Sequence, residues 1–96
     1  MHARVVIYKF KPGTADEVIR KADKGLAPVY RKLAGFRSYE AVRTGPDSAI
    51  SFSTWDSEAQ AGEAVKVGTD WVKANIANDV VSADPHTGTV SFSHRA

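Results

Sequence analysis

Cysteine is absent from all 96 residues, which excludes disulfides, thiolate metal sites and a thiol nucleophile together. A chain without them needs no oxidising compartment, and cytoplasmic residence is the default expectation. Long apolar runs are missing too. The apolar stretch over residues 1–10 carries Arg4 and Lys9, so neither a signal peptide nor a membrane span is expected. Charge of one sign is scarce, since 13 Lys and Arg against 11 Asp and Glu leave a net +2. The basic residues are interleaved with acids rather than clustered, so no nucleic-acid partner is expected. No His-Glu-x-x-His or comparable ligand spacing occurs and no cofactor fingerprint is present, so neither metal nor cofactor is expected.

What is present is ordinary globular composition, 43% hydrophobic and 25% charged, in a chain of the length of one domain over residues 1–96. Surface scaling buries about 64% of the unfolded area at this size, and sharing a face with a second copy would bury more. Residues 3–10 are rich in β-branched and aromatic side chains and stop at Lys11-Pro12-Gly13. They read as a strand apolar on both faces, with Ala3, Val5 and Ile7 on one and Val6, Tyr8 and Phe10 on the other. Thr14 and Glu17 form a capping-box pattern, Ala15, Val18, Ile19, Ala22, Leu26, Val29 and Leu33 keep helical spacing, and Pro28 predicts a kink near Gly25. Residues 35–43 and 49–55 read as a hairpin. Asp56 and Ser57 then cap a second helix, with Gln60 in the box position, that Gly68 ends; Thr69 or Asp70 restarts a third helical piece. Pro85 to Gly88 lead into a last strand over 89–94.

The order β, α, β, β, α, β predicts a ferredoxin-like α+β fold, a four-stranded antiparallel sheet with helices on one side. The uncovered face of the first strand is apolar whichever way the strand points, so a homodimer through that sheet face is expected, stacked or wrapped into a shared barrel. In the third strand Ile50 and Phe52 point one way while Ala49, Ser51, Ser53 and Trp55 point the other, and Val90, Phe92 and His94 repeat the apolar side in the last strand. Hydrophobicity alone would turn Ile50 and Phe52 toward the helices. A cavity floored by small hydroxyl-bearing side chains, with Trp55 as a stacking wall, requires the opposite orientation.

The segments Val5-Val6-Ile7-Tyr8-Lys9-Phe10-Lys11-Pro12-Gly13, Gly35-Phe36 before a strand, and Ser53-Thr54-Trp55-Asp56-Ser57-Glu58-Ala59 resemble the antibiotic biosynthesis monooxygenase family of dimeric α+β barrel proteins. The resemblance runs over nearly the whole chain. It implies a homodimer with a pocket between sheet and helices, the Trp55 face lying in that pocket. In some members it also implies oxygenation of polycyclic phenols or hydroquinones without metal, flavin or haem, the substrate's own anion delivering an electron to oxygen. Trp55 takes the place of the tryptophan in the family's strand-end motif. Ser51 stands where oxygenating members can carry an asparagine, and Ala61 where they can carry a tyrosine. The asparagine, tryptophan and histidine of the haem-degrading branch have no counterparts, and Arg4 replaces the histidine base of the cyclising relatives.

Three residues are therefore the catalytic candidates. Trp55 would be the aromatic wall, and Arg37 and Tyr39, alternating on one face of the second strand, would hold and polarise an acidic phenol, because a nearby cation favours its ionised form. Ser51 and Ser53 would orient the ligand, Trp71 would close the cavity, Asn75 would sit at its polar edge, and His86, in the turn before the last strand, is the one histidine placed to contact it. The expected function is a cofactor-independent monooxygenase acting on a small aromatic, phenolic or quinol-like metabolite. The alternative is a noncatalytic dimeric domain that binds a small ligand in the same cavity.

Overall fold

The β-branched and aromatic run over residues 3–10 and the alternation over 49–55 produce the two central strands, and the rest of the sheet is laid down on them. The computed structural model describes residues 1–96. Its elements are β1 His2–Phe10, α1 Ala15–Lys21, a π-helical segment Ala22–Leu26, α2 Ala27–Arg31, β2 Phe36–Gly45, β3 Ser48–Trp55, α3 Glu58–Asn75, a 3-10 turn Ala77–Asp79 and β4 Val80–Thr89. The strands form one antiparallel sheet in the order β2-β3-β1-β4, the ferredoxin-like α+β arrangement. No helix is long and apolar enough to cross a membrane.

Pro28 lies in the first turn of α2, and the expected kink is the π-helical segment just before it, where one extra residue per turn absorbs the missing donor. The capping box at Thr14 does not form. The Thr14 hydroxyl donates to the Lys11 carbonyl at 2.8 Å, and Glu17 instead pairs with Arg20 one turn on. Ser57 does cap α3, its hydroxyl accepting from the Gln60 amide at 3.2 Å. Gly35, at φ +81°, turns the chain into β2 directly over the Gln60 side chain, leaving no room for a Cβ.

Three expectations are corrected. Gly68 does not end a helix: α3 runs unbroken to Asn75, and Gly68 is buried within it because a Cβ there would collide with the Tyr30 hydroxyl. The last strand is not residues 89–94 but β4, which takes in Pro85 and Gly88 and pairs antiparallel with β1. Proline is tolerated because β4 is an edge strand. Val90, Phe92 and His94 therefore belong to no sheet face, and Phe92 is exposed. Finally, β2 carries a bulge against the end of β3, where Phe36 opposes Trp55 and Ser38 opposes Thr54. The extra residue, Arg37, breaks the alternation, so Phe36 and Tyr39 both face the helices while Arg37 turns out.

Ala49, Ser51, Ser53 and Trp55 all lie buried on the helix side. The core forms two clusters there, one around Phe10, Val18, Ala49 and Ile76, the other around Leu26, Tyr30, Trp55 and Ala64, with Trp71 packed against both. The opposite face is left bare, with Ile7, Val42 and Phe52 exposed beside Val5 and Ile50. The chain alone exposes 5992 Å², above the roughly 5,400 Å² that scaling gives for a folded monomer of this mass.

Gly68→Ala is expected to lower stability by about 1–3 kcal/mol, the usual range for overpacking, and Tyr30→Phe in the same chain should recover part of the loss by removing the colliding oxygen. Urea unfolding of the two single variants and the double variant measures both terms.

Candidate functional site

On the helix side of the sheet, cross-strand pairing sets two rows of side chains next to one another. One runs Ala41, Ser51, Val6, Pro85, and the other Tyr39, Ser53, Arg4, Thr87. Small residues at Ala41, Ala49 and Ser51 keep the floor low, while Val18, Ile19 and Ala22 from the first helical region, Trp71 and Val72 from α3, and Ile76 just after it form the roof. Between them is an apolar cavity of about 40 Å³ in which Ser51 is the only residue outside the hydrophobic set, room for about three water molecules. The cavity shares Ile19, Ala22, Tyr39 and Ala41 with an open groove of about 440 Å³ beside β2. On its other side it shares Tyr8 and Val72 with a groove of about 240 Å³ between α3 and β4.

Of the residues singled out from the sequence, Tyr39, Ser51 and Trp71 meet at this cavity. Trp55 does not line it. Its indole is wholly buried, with centroids 5.4 Å from both Tyr30 and Phe36 in edge-on contacts, and its Nε1–H donates to the Ser53 hydroxyl at 3.0 Å. Ser53 is thereby engaged with Trp55. Arg37, displaced by the bulge, is half exposed and paired with Asp56. It does not share a face with Tyr39. Asn75 is exposed, its Nδ2–H donating to the Trp71 carbonyl at 2.9 Å. His86 is not in a turn but on β4, exposed, opposite Val5 on the bare face of the sheet, with Asp84 at 2.9 Å. No three His, Asp or Glu side chains converge as a metal-ligand set.

The sequence reading missed Arg4 as a site residue, and it took Tyr30, late in the first helical region, as either core or pocket wall. Tyr30 is fully buried, its ring 4.9 Å from Tyr39, and its hydroxyl accepts a long bond from Arg4 Nη1 at 3.4 Å. A signal for Arg4 existed: it shares the strand face of Val6, Tyr8 and Phe10, so its alternation already turned it inward.

Burial raises the Tyr39 phenol well above its ordinary value, with the neighbouring Tyr30 and Tyr8 adding to the effect and Arg4 opposing it. Burial likewise raises Tyr30, against the pull of Arg4. Both phenols therefore remain protonated donors and are poor bases. Because the unfolded chain releases these protons near pH 10 and the folded chain holds them, stability is expected to fall as pH rises above 10. Urea midpoints taken from pH 8 to 11 should drop more steeply in the wild type than in Tyr39→Phe.

The family model for antibiotic biosynthesis monooxygenases matches residues 1–66. No curated protein sequence matches the chain at a significant level. Among solved structures, a protein of unknown function from Nitrosomonas europaea, NE2512, is 18% identical, covers 99% of this chain and 93% of its own, and has a TM-score of 0.83. The ActVA-Orf6 monooxygenase of Streptomyces coelicolor, solved with nanaomycin D, is 15% identical over 99% and 91% at a TM-score of 0.78. SnoaB of Streptomyces nogalater, a cofactor-independent oxygenase, is 12% identical over 96% and 94% at 0.77. At these identities the structures share the fold, and the family model, which spans more than half the residues, places the chain itself in the antibiotic biosynthesis monooxygenase family.

Proposed function

We propose that the chain is a cofactor-independent monooxygenase acting on a small aromatic, phenolic or quinol-like metabolite, and that it works as a homodimer. The observation that carries this reading is the apolar cavity between sheet and helices, with Ser51 and Tyr39 in its wall, in a fold shared with the ActVA-Orf6 and SnoaB oxygenases. A methylene activated by flanking rings reacts with one molecule of dioxygen to give a ketone and one molecule of water. Both C–H bonds of the methylene and the O–O bond break, one oxygen atom becomes the carbonyl and the other leaves as water with the two hydrogens, and all the electrons come from the substrate. No outside reductant enters. The protein's share is to exclude water, hold the rings and favour the substrate anion.

In this reading Trp71 covers the bound ring, Ser51 orients it and the protonated Tyr39 donates a hydrogen bond to an oxygen substituent at its β2 end, while Trp55 and Ser53 stiffen the floor. Arg37, Asn75 and His86 have no part in it. No carboxylate or imidazole lines the cavity, so the substrate proton leaves to water at the mouth. A volume of about 40 Å³ is below the roughly 150 Å³ that houses a benzene ring. Entry therefore uses the groove beside β2, where Ala22 and Asp23 of the π-helical segment form the wall that gives, π-helical turns being frequent at functional sites. The missing base is the one observation favouring a purely ligand-binding domain, and it does so only for ligands that do not ionise unaided.

Oxygen uptake over a panel of anthrones, hydroquinones and flavonols, in the presence of a chelator, tests the reaction. Turnover is expected for at least one anthrone or hydroquinone, and Ser51→Leu, which fills the cavity, should lower it at least ~10-fold with the circular dichroism spectrum unchanged. Turnover unaffected by that filling, or none across the panel, would count against the proposal. Val5, Ile7, Val42, Ile50 and Phe52 would form the dimer contact, so Phe52→Lys should shift the sedimentation coefficient from dimer to monomer at micromolar concentration.

A further inference from the structure

Arg4 is the only buried arginine, 8% exposed, and the only buried charged side chain of the chain. Every ion pair in the structure lies elsewhere: Glu17 with Arg20, Arg37 with Asp56, Arg43 with Asp16, and His86 with Asp84. Arg4 Nε is buried with no hydrogen-bond partner, and Nη1 reaches only the Tyr30 hydroxyl, at 3.4 Å. A guanidinium taken out of water without a counter-charge is costly, because its donors lose solvent and gain nothing equivalent. Arg4 lines the groove of about 240 Å³ between α3 and β4, together with Lys73, Thr69 and Tyr8. That groove and the apolar cavity have Tyr8 and Val72 as common walls. The polar groups around Arg4 are thus a cation at the rim, Lys73, and hydroxyls from Tyr30, Tyr39, Tyr8, Ser53, Thr69 and Thr87, with no carboxylate among the groove's lining residues.

We infer that the groove between α3 and β4 is an anion subsite, in which Arg4 receives the ionised oxygen of a ligand whose aromatic body lies in the adjoining cavity. The inference rests on the cavity taking an aromatic ligand, as in the function proposed above, and does not depend on turnover. It places the cation that stabilises a phenolate on β1, where the arginine is buried and unpaired, rather than on β2, where Arg37 is engaged at the surface. Lys73, at the solvent edge, contributes attraction over a longer distance and is weakened by salt.

The probe is 4-nitrophenol, whose ionised form is yellow, titrated between pH 5 and 9 with the protein in excess. In the wild type the apparent pKa of the bound probe is expected to fall by about one unit or more, which corresponds to the anion being held at least ~10 times more tightly than the neutral phenol. Arg4→Met should abolish the shift, Arg4→Lys should retain part of it, and Lys73→Gln should reduce it only at low salt. Because Arg4→Met removes an uncompensated buried charge, its melting temperature without probe should not fall below that of the wild type. An unchanged shift in Arg4→Met, equal binding of the two probe forms, or no binding of either to the wild type would each overturn the subsite. An Arg4-dependent shift in a protein that takes up no oxygen would refute the monooxygenase reading and leave the subsite standing.

Discussion

Tyr30 reaches from α2 to the sheet with its ring edge-on to Tyr39 of β2 and Trp55 of β3, and with its hydroxyl against Gly68 of α3 and beside Arg4 of β1. Five elements converge on one phenol. The contact is possible only because α3 has no side chain at position 68, so the glycine that would ordinarily weaken a helix interior is what lets two layers close. The polar atoms trapped by this closure are unequally served. Trp55 has Ser53 at 3.0 Å, whereas Arg4 has one long bond and an unpartnered Nε. Packing has thus been completed around the indole and left incomplete around the guanidinium.

The strands whose alternation is regular could be read directly from sequence, and so could the kink that Pro28 imposes. The errors share a cause: a residue read for its local preference where a distant partner decided its role. Gly68 resembles a helix stop until Tyr30 is placed against it, and Pro85 and Gly88 resemble a turn until β4 is known to lie at the sheet edge. The bulge at Arg37 arises where β2 must match the end of β3, and no feature of residues 36–39 alone announces it. The orientation of β3 was legible only through family resemblance, since Ile50 and Phe52 are the more hydrophobic side and yet face away from the helices. The small side chains there, Ala49 and Ser51, leave the space that the cavity occupies.

The two arginines that enter the functional reading illustrate the same point energetically. Arg37 is half exposed and matched by a half-exposed Asp56, a pair worth little in water and open to exchange with solvent ions. Arg4 is enclosed by tyrosines, has no acid, and borders the cavity's wall. Spacing alone made Arg37 the attractive candidate, because it stands two residues from Tyr39. Burial reverses the ranking, since a charge acts most strongly on a ligand where water is least able to screen it.

The free edges of the sheet bear on what this chain avoids as much as on what it binds. On one side β4 carries Pro85, which offers no backbone donor, and on the other β2 presents Glu40 and Arg43, both exposed. Neither border is a good template for another strand, because a foreign chain would meet a missing hydrogen bond on one side and fixed charges on the other. With Ile7, Val42 and Phe52 exposed on the flat of the sheet and not at its rims, the molecule is protected against runaway strand addition and fibril growth at those borders.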